Sequence, residues 1–241
     1  MITTKNIYKQ FGKLTALNKI NLEMRAGETI AMIGPNGSGK TTLIKTLLGL
    51  VIPDKGEIFY KGQSVLRQWK YRENIGYMPQ IGRYPDNMRI GQIIDMITDL
   101  RKNDHNQVDV ELMNSLGIQR MLDKPMRTLS GGTRQKVSAC IAFMFHPEVL
   151  ILDEPTAGLD PLSGEILKDK ISREKDRGKL IIITSHILSD LDDLVSEVVF
   201  MEEGHVKFHK KVSELQAQTG EVKLNKVMAV LMDPCYDPVM Q

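Results

Sequence analysis

The stretch Gly34-Pro35-Asn36-Gly37-Ser38-Gly39-Lys40-Thr41 restricts this chain more than any other. It follows an apolar run, Thr29–Ile33, that suits a buried strand. It precedes Thr42–Leu48, whose apolar residues recur at helical spacing. A strand, a glycine-rich loop and a helix opening on Lys-Thr is the context a phosphate-binding loop needs. Glycines at 34, 37 and 39 let the backbone turn tightly and aim its N–H groups inward. The helix start adds unpaired N–H groups and the positive end of the helix dipole. Lys40 can reach the β- and γ-phosphates of a nucleotide, and the Thr41 hydroxyl can ligate Mg²⁺, with Thr42 next to it in the same turn.

The totals narrow what such a loop can serve. The chain has 241 residues, 41% hydrophobic and 26% charged, which fits an ordinary globular α/β domain. With 32 basic and 30 acidic side chains the formal charge is +2, too balanced to point to nucleic acid. The two cysteines, Cys140 and Cys235, lack metal-site spacing and are too few for a disulfide framework, so a reducing cytosol is expected. Met1–Asn6 has no apolar leader pattern. The longest apolar runs are strand-sized, whereas a membrane span takes about 20 residues. Any membrane role would therefore draw its spans from a partner.

Before the glycine loop, residues 1–33 alternate polar and apolar and read as β-strands. Gly56–Tyr60 and Asn74–Met78 are further short strands, the second ending at Pro79-Gln80. Residues 82–146 carry helical spacing (Ile90, Ile93, Ile94, Ile97; Val110, Leu112, Met113, Leu116), interrupted by a hydrophilic gap at Arg101–Gln107. Val149–Leu152 and Lys179–Thr184 are continuous apolar runs suited to central parallel strands. Ser163–Lys175 between them reads as a charged-faced helix. Strands alternating with helices predict a parallel α/β core, with residues 82–146 as a mostly helical insertion. Gly204–His209 reads as a short hairpin strand, Val212–Gln218 as a helix and Asp233–Pro238 as a frayed end. The role of residues 221–241 stays open. Val222, Leu224, Val227, Val230 and Leu231 there favour packing on the core over contact with a partner.

Three further stretches carry chemistry. Val149–Glu154 sets two carboxylates at a strand end. Asp153 can hold Mg²⁺ directly or through water, and Glu154 can orient or deprotonate an attacking water. His186 sits just past the run Leu180–Thr184, where strand ends of parallel sheets line the ligand crevice. This setting favours a γ-phosphate contact over a surface or capping role. The other histidines, 105, 146, 205 and 209, read as surface residues. Leu129-Ser130-Gly131-Gly132-Thr133 leads into an apolar helix with Ser130 as N-cap, a second anion-binding helix start or a plain capped helix. Beside a complete phosphate loop, a second such start suggests a face for another molecule's nucleotide.

Taken together and in order, these stretches resemble the nucleotide-binding subunit of ATP-binding cassette (ABC) transporters over residues 1–215. Gly34–Thr41 matches the Walker A motif, Gln80 the Q-loop, Leu129–Thr133 the signature, Val149–Glu154 Walker B, Ala157–Asp160 the D-loop and His186 the switch histidine. The resemblance implies an α/β P-loop ATPase core spanning residues 1–220. It would carry an N-terminal antiparallel β subdomain and a helical signature subdomain at about 82–146. It further implies that ATP and Mg²⁺ are bound, with Thr41, Gln80 and Asp153 toward the metal. Phe11 would stack on adenine, with Tyr8 the lesser candidate. Glu154 would be the general base, and Gln80 would meet Mg²⁺ and the attacking water. Two cassettes, identical or related, would pair head to tail. Ser130, Gly131 and Gly132 of one would then face the γ-phosphate held by the other, with Asp160 at the interface. Separate transmembrane permease subunits would dock near Gln80, so the chain would be cytoplasmic and peripheral on the inner face of the cell membrane.

The likeness is nearest to stand-alone cassettes of exporter-type systems. More narrowly, Leu129–Val137 and Gly76–Gln80 resemble cassettes linked to copper handling and nitrous-oxide-reductase maturation. One position departs from the family: Thr133 stands where the signature usually has Gln. Gln135 cannot replace it from the same spot, because two residues along a helix turn the side chain by roughly 200°. The ribose-side contact of that Gln is therefore in doubt, while Ser130, Gly131 and Gly132 are intact. A soluble ABC ATPase of DNA repair or translation is the alternative. A single cassette without sustained heptads weighs against it. Intact Gln80, Glu154 and His186 weigh against a non-catalytic regulatory cassette.

Overall fold

The computed structural model describes residues 1–101 and 108–232. His105, most of the hydrophilic gap at 101–107, Cys235 and the expected frayed end at 233–238 lie outside the described residues. The chain divides into two compact units, residues 1–68 with 182–241 and residues 69–181.

The first unit begins with a long hairpin, β1 (Ile2–Phe11) and β2 (Leu14–Met24). Its alternation buries Ile2, Ile7, Leu17, Ile20, Leu22 and Met24 on one face. The β1–β2 register shifts between Thr4 and Ile7. Buried Thr4 spans this irregularity: its hydroxyl donates to Ile20 O (3.3 Å) and accepts from Leu22 N–H (2.9 Å). β3 (Thr29–Ile33) is buried throughout, as befits a strand covered on both faces. It runs into the glycine loop and then α1 (Lys40–Leu47). β4 (Lys55–Tyr60) and β5 (Gln63–Ser64) complete an antiparallel sheet in the order β2-β1-β4-β5.

The second unit opens with a short 3₁₀ turn at Lys70–Asn74 and β6 (Ile75–Met78). Three helices follow: α2 (Ile90–Leu100), α3 (Glu111–Ser115) and α4 (Gly131–Phe143). β7 (Val149–Asp153), fully buried, pairs in parallel with β6. α4 lies so close to β6 that a Cβ on Gly76 would stand 2.0 Å from Ala142 O. α5 (Pro161–Asp176) follows, and β8 (Leu180–Thr184) carries the chain back into the first unit.

There β9 (Glu197–Glu202) pairs in parallel with β3 and antiparallel with β10 (His205–Lys211). α6 (Val212–Thr219) and α7 (Leu224–Leu231) end the described chain. Leu224 and Val227 are buried, Val230 and Leu231 half-buried and Val222 exposed, and the Leu224 N–H is held by Asp192 Oδ1 at 2.7 Å. The apolar residues of 224–231 therefore pack within their own unit, on α6 and the turn Leu188–Asp190. The expected strand at 204–209 is β10. Its partner β9, with the apolar centre Val198–Met201, was not anticipated. The fold is an α/β core with an antiparallel β part and a helical part, as the sequence predicts.

Candidate functional site

In the first unit the loop between β3 and α1 is built by glycine geometry. Gly34, Gly37 and Gly39 have φ of 152°, 80° and 102°, all in the region that favours glycine. At Gly34 a Cβ would meet Met201 O at 2.0 Å, and at Gly39 it would meet Ala16 O at 2.5 Å. The loop is therefore pressed against β9 on one side and β2 on the other. Ser38 is buried, and its carbonyl accepts the Gly204 N–H at 3.1 Å. The first helical bond of α1 is Leu43 N–H to Gly39 O at 2.8 Å, and no side chain caps the helix. The N–H groups of Lys40, Thr41 and Thr42 thus precede the intrahelical ladder and suit an anion. The Lys40 ammonium folds over the loop, donating to Gly34 O (2.6 Å), Pro35 O (3.0 Å) and Ser38 Oγ (3.4 Å). Pro35, Asn36 and Gly37 are exposed at the loop tip.

Two other expected residues sit in this unit. Phe11 ends β1 with its ring 49% exposed and the Lys9 ammonium 5.3 Å from the ring centre. It is an open aromatic face, whereas the Tyr8 hydroxyl is engaged by Gln10 and Thr15. His186 follows β8, exposed, in a turn closed by Ser185, whose Oγ accepts from Ile187 N–H at 3.0 Å. His209 is a correction to the surface reading: it is half-buried, with Nε2 2.7 Å from Glu197 Oε2.

The second unit holds the rest. Asp153 ends β7 and is 7% exposed. On the paired strand, burial and then the Asp153 charge push the Tyr77 hydroxyl up to about 12. Glu154 follows with φ of 51°, uncommon for a residue with a side chain. Its carbonyl accepts the Ala157 N–H at 3.2 Å and the Gln135 Nε2–H at 3.3 Å. Ser130 caps α4: its Oγ accepts the Thr133 N–H at 3.2 Å and lies 2.9 Å from Thr133 Oγ1. A Cβ on Gly132 would lie 2.6 Å from Gly158 O, so the start of α4 meets the loop after β7 backbone to backbone. Gln80, Gly131, Gly132, Gln135, Ala157 and Gly158 line a cavity of about 410 Å³.

Asp160 caps α5, accepting from Ser163 N–H (3.0 Å) and Ser163 Oγ–H (2.8 Å), with Lys136 Nζ at 2.7 Å. The Lys136 bond, then the Ser163 N–H, holds its carboxyl well below the usual range. Two residues of this constellation, Gln135 and Lys136, were not picked out as functional. Counting one turn on from Ser130 would have placed both on the helix that starts the second anion site. Cys140, deeper in α4, is buried and its thiol is pushed up to about 12 by that burial.

Within the second unit the Asp153 carboxylate and the Gln80 amide supply oxygen donors, the kind that suits a hard cation keeping most of its water. Among the described residues no cluster of three or more His, Cys, Asp or Glu could hold a metal by itself.

Residues 17–157 match the family model described as ABC transporter. The lantibiotic transport ATP-binding protein SrtF of Streptococcus pyogenes is 33% identical over 213 residues, covering 88% of this chain and 91% of that protein. A solved ATP-binding subunit of an ABC transporter superposes with a TM-score of 0.87 at 24% identity, over 96% of this chain and 99% of that one. The dimeric post-hydrolysis cassette MJ0796, bound to ADP and Pi, superposes with a TM-score of 0.79 at 22% identity, over 88% and 99%.

Proposed function

This chain belongs to the ABC transporter family, and from that premise we propose that it is the ATP-hydrolysing subunit of an exporter, working as a pair of cassettes beneath separate membrane-spanning subunits. It binds ATP and is an ATPase. The observation that carries the proposal is the cradle at Gly34–Lys40, pinned by two close backbone approaches and feeding an uncapped helix. Phosphate oxygens take the N–H groups of that helix start, and Lys40 moves from the loop carbonyls to the β- and γ-phosphates. Thr41, Asp153 and Gln80 would hold Mg²⁺, which would supply positive charge against the phosphate oxygens. Phe11 stacks on adenine.

Glu154 accepts a proton from water as the water oxygen bonds to the γ-phosphorus. The bond from that phosphorus to the β–γ bridging oxygen breaks, leaving ADP and phosphate. His186 hydrogen-bonds the γ-phosphate. Ser130, Gly131 and Gly132 contact the γ-phosphate held by a second cassette, which is how ATP favours the paired state, and Asp160 lies at that junction. Loss of the γ-phosphate removes the shared contact and releases the pair. ATP shifts the equilibrium because it binds the closed pair more tightly than the open one.

The membrane spans are assigned to permease subunits docking near Gln80, with the cassette on the inner face of the membrane. Among the described residues no helix is long and apolar enough to cross it. SrtF is named for lantibiotic transport, and its similarity runs through nearly its whole length, which favours transport over a soluble repair or translation role. Copper handling has no support in the names of the proteins compared above, so the cargo is left to the permease. Glu154→Gln tests the proposal directly. It should retain ATP binding, lose nearly all phosphate release and accumulate ATP-dependent dimers on size exclusion. Wild-type turnover would refute the role of Glu154. Recovery of a stoichiometric multi-span partner from detergent-solubilised membranes tests the transport assignment.

A further inference from the structure

We propose that Gln135 is a positioning residue for Glu154, tying the start of α4 to the backbone that presents the general base. The inference rests on the reading of Glu154 as that base. Glu154 sits at φ 51°, and a left-handed conformation at a residue with a side chain persists only where its surroundings hold it. Two bonds converge on its carbonyl. One comes from the Ala157 N–H, within the turn itself. The other comes from Gln135 Nε2, on a helix that begins more than twenty residues earlier in the chain. Gln135 is 5% exposed, so water is poorly placed to replace that bond.

The same face of α4 grips the rest of the segment. Gly132, three residues before Gln135 and therefore its neighbour on the helix surface, touches the Gly158 carbonyl. Lys136 pairs with Asp160. Successive contacts from one helix thus pin residues 154, 158 and 160. Gln135 supplies the one that acts on the base, by fixing the Glu154–Pro155 peptide and with it the direction of the Glu154 side chain.

The test uses the full chain with Gln135→Met, which keeps length and loses the donor, and Gln135→Glu, which keeps shape and turns an oxygen toward the carbonyl. Phosphate release should fall roughly 3- to 10-fold in kcat, the worth of one neutral hydrogen bond. KM for ATP and equilibrium ATP affinity should stay within about two-fold, because the bond touches no nucleotide group. In a Glu154→Gln background, Gln135→Met should lower the residual rate no further, as expected if Gln135 acts through Glu154. Wild-type kcat in either folded variant would overturn the inference. So would a loss of ATP affinity in step with kcat, or an additive loss in the double variant. Wild-type turnover by Glu154→Gln alone would instead remove the base reading beneath it.

Discussion

Lys170 lies in the middle of α5, yet its side chain is 1% exposed. Its ammonium meets Asp109 at 2.6 Å, Glu111 at 3.0 Å and Glu174 at 3.2 Å. Glu174, equally buried, also pairs with Arg177 at 2.6 Å and with Lys179. Lys170→Met keeps the length of the side chain and removes the charge. Asp109 then keeps the Glu111 N–H, at 2.9 Å, and the influence of His146, while Glu174 keeps two cations. Removing one member of a buried ion cluster costs about 3–5 kcal/mol, and the retained partners of Glu174 place this case near 3. That is a large share of the roughly 5–15 kcal/mol that holds a domain folded. In urea it corresponds to a midpoint lowered by about 1 M or more.

The pH dependence separates charge from packing in this variant. Burial, the largest single influence, would raise Asp109, but the Lys170 hydrogen bond, the Glu111 N–H and the charges of Lys170 and His146 together outweigh it, and the carboxyl ends below its ordinary value. Glu174 behaves likewise: burial is the largest single influence, and the hydrogen bonds and charges of Lys179 and then Lys170 together outweigh it. Hydrogen bonds from Lys170 and Arg173 lower Glu111. A depressed carboxylate adds stability that is complete above its unfolded pKa, near 4, and is lost as pH falls through the lower folded value. The native protein therefore holds this contribution at pH 7 and loses it below about 4. The variant, with Asp109 left in a poor setting for charge, gains relative stability as that group protonates. The gap between the two in urea unfolding should be widest at pH 7 and narrow steadily toward pH 4. A gap that does not change with pH would refute the electrostatic reasoning and leave only lost packing.

Gly34→Ala should lower stability by about 2–4 kcal/mol, because its Cβ, 2.0 Å from Met201 O, forces the β3–β9 pair apart. An unchanged denaturation midpoint would show that the loop yields more easily than its contacts imply. Lys40→Ala should weaken ATP binding roughly 10-fold or more in a direct titration, the loss of a charge-assisted contact to phosphate. Unchanged affinity and activity would count against the role of the loop lysine.

The parts of the site that were legible in the sequence are those that need no partner. Gly34–Thr41 is contiguous, and its glycines, lysine and threonine carry their own geometry. Val149–Glu154 announces itself as a strand ending in two acids. What stayed hidden depends on packing between distant elements. Ser163–Lys175 reads as a charged-faced helix because its residues are charged, and nothing in that reading shows that Lys170 and Glu174 face each other in the interior. Asp109 and Glu111, about sixty residues earlier, help make that burial tolerable by holding the Lys170 ammonium. β9 is a different kind of miss. Val198–Met201 is an apolar run like Val149–Leu152, and the rule that found the second strand also finds the first. Spacing from Ser130 puts Gln135 on the right helix but does not reveal its partner, a backbone carbonyl made available by the left-handed turn at Glu154.

Thr133 shows how a departure from a family's motif can leave its geometry standing. The usual Gln is long enough to reach outward, whereas Thr133 is taken up inside its own turn. Its N–H and its hydroxyl both engage Ser130 Oγ, at 3.2 and 2.9 Å. A serine hydroxyl has two acceptor lone pairs and one proton. If Thr133 supplies both of its hydrogens, the lone pairs of Ser130 are filled from within the turn and its proton is left to point outward as a donor. An approaching anion favours this arrangement over the reverse, in which Ser130 donates to Thr133 and turns a lone pair outward. The substitution thus gives up an outward amide and gains a hydroxyl that orients the serine beside it. On the proposed role of this helix start, Thr at this position would thus keep a donor aimed at the anion without the residue that usually stands there.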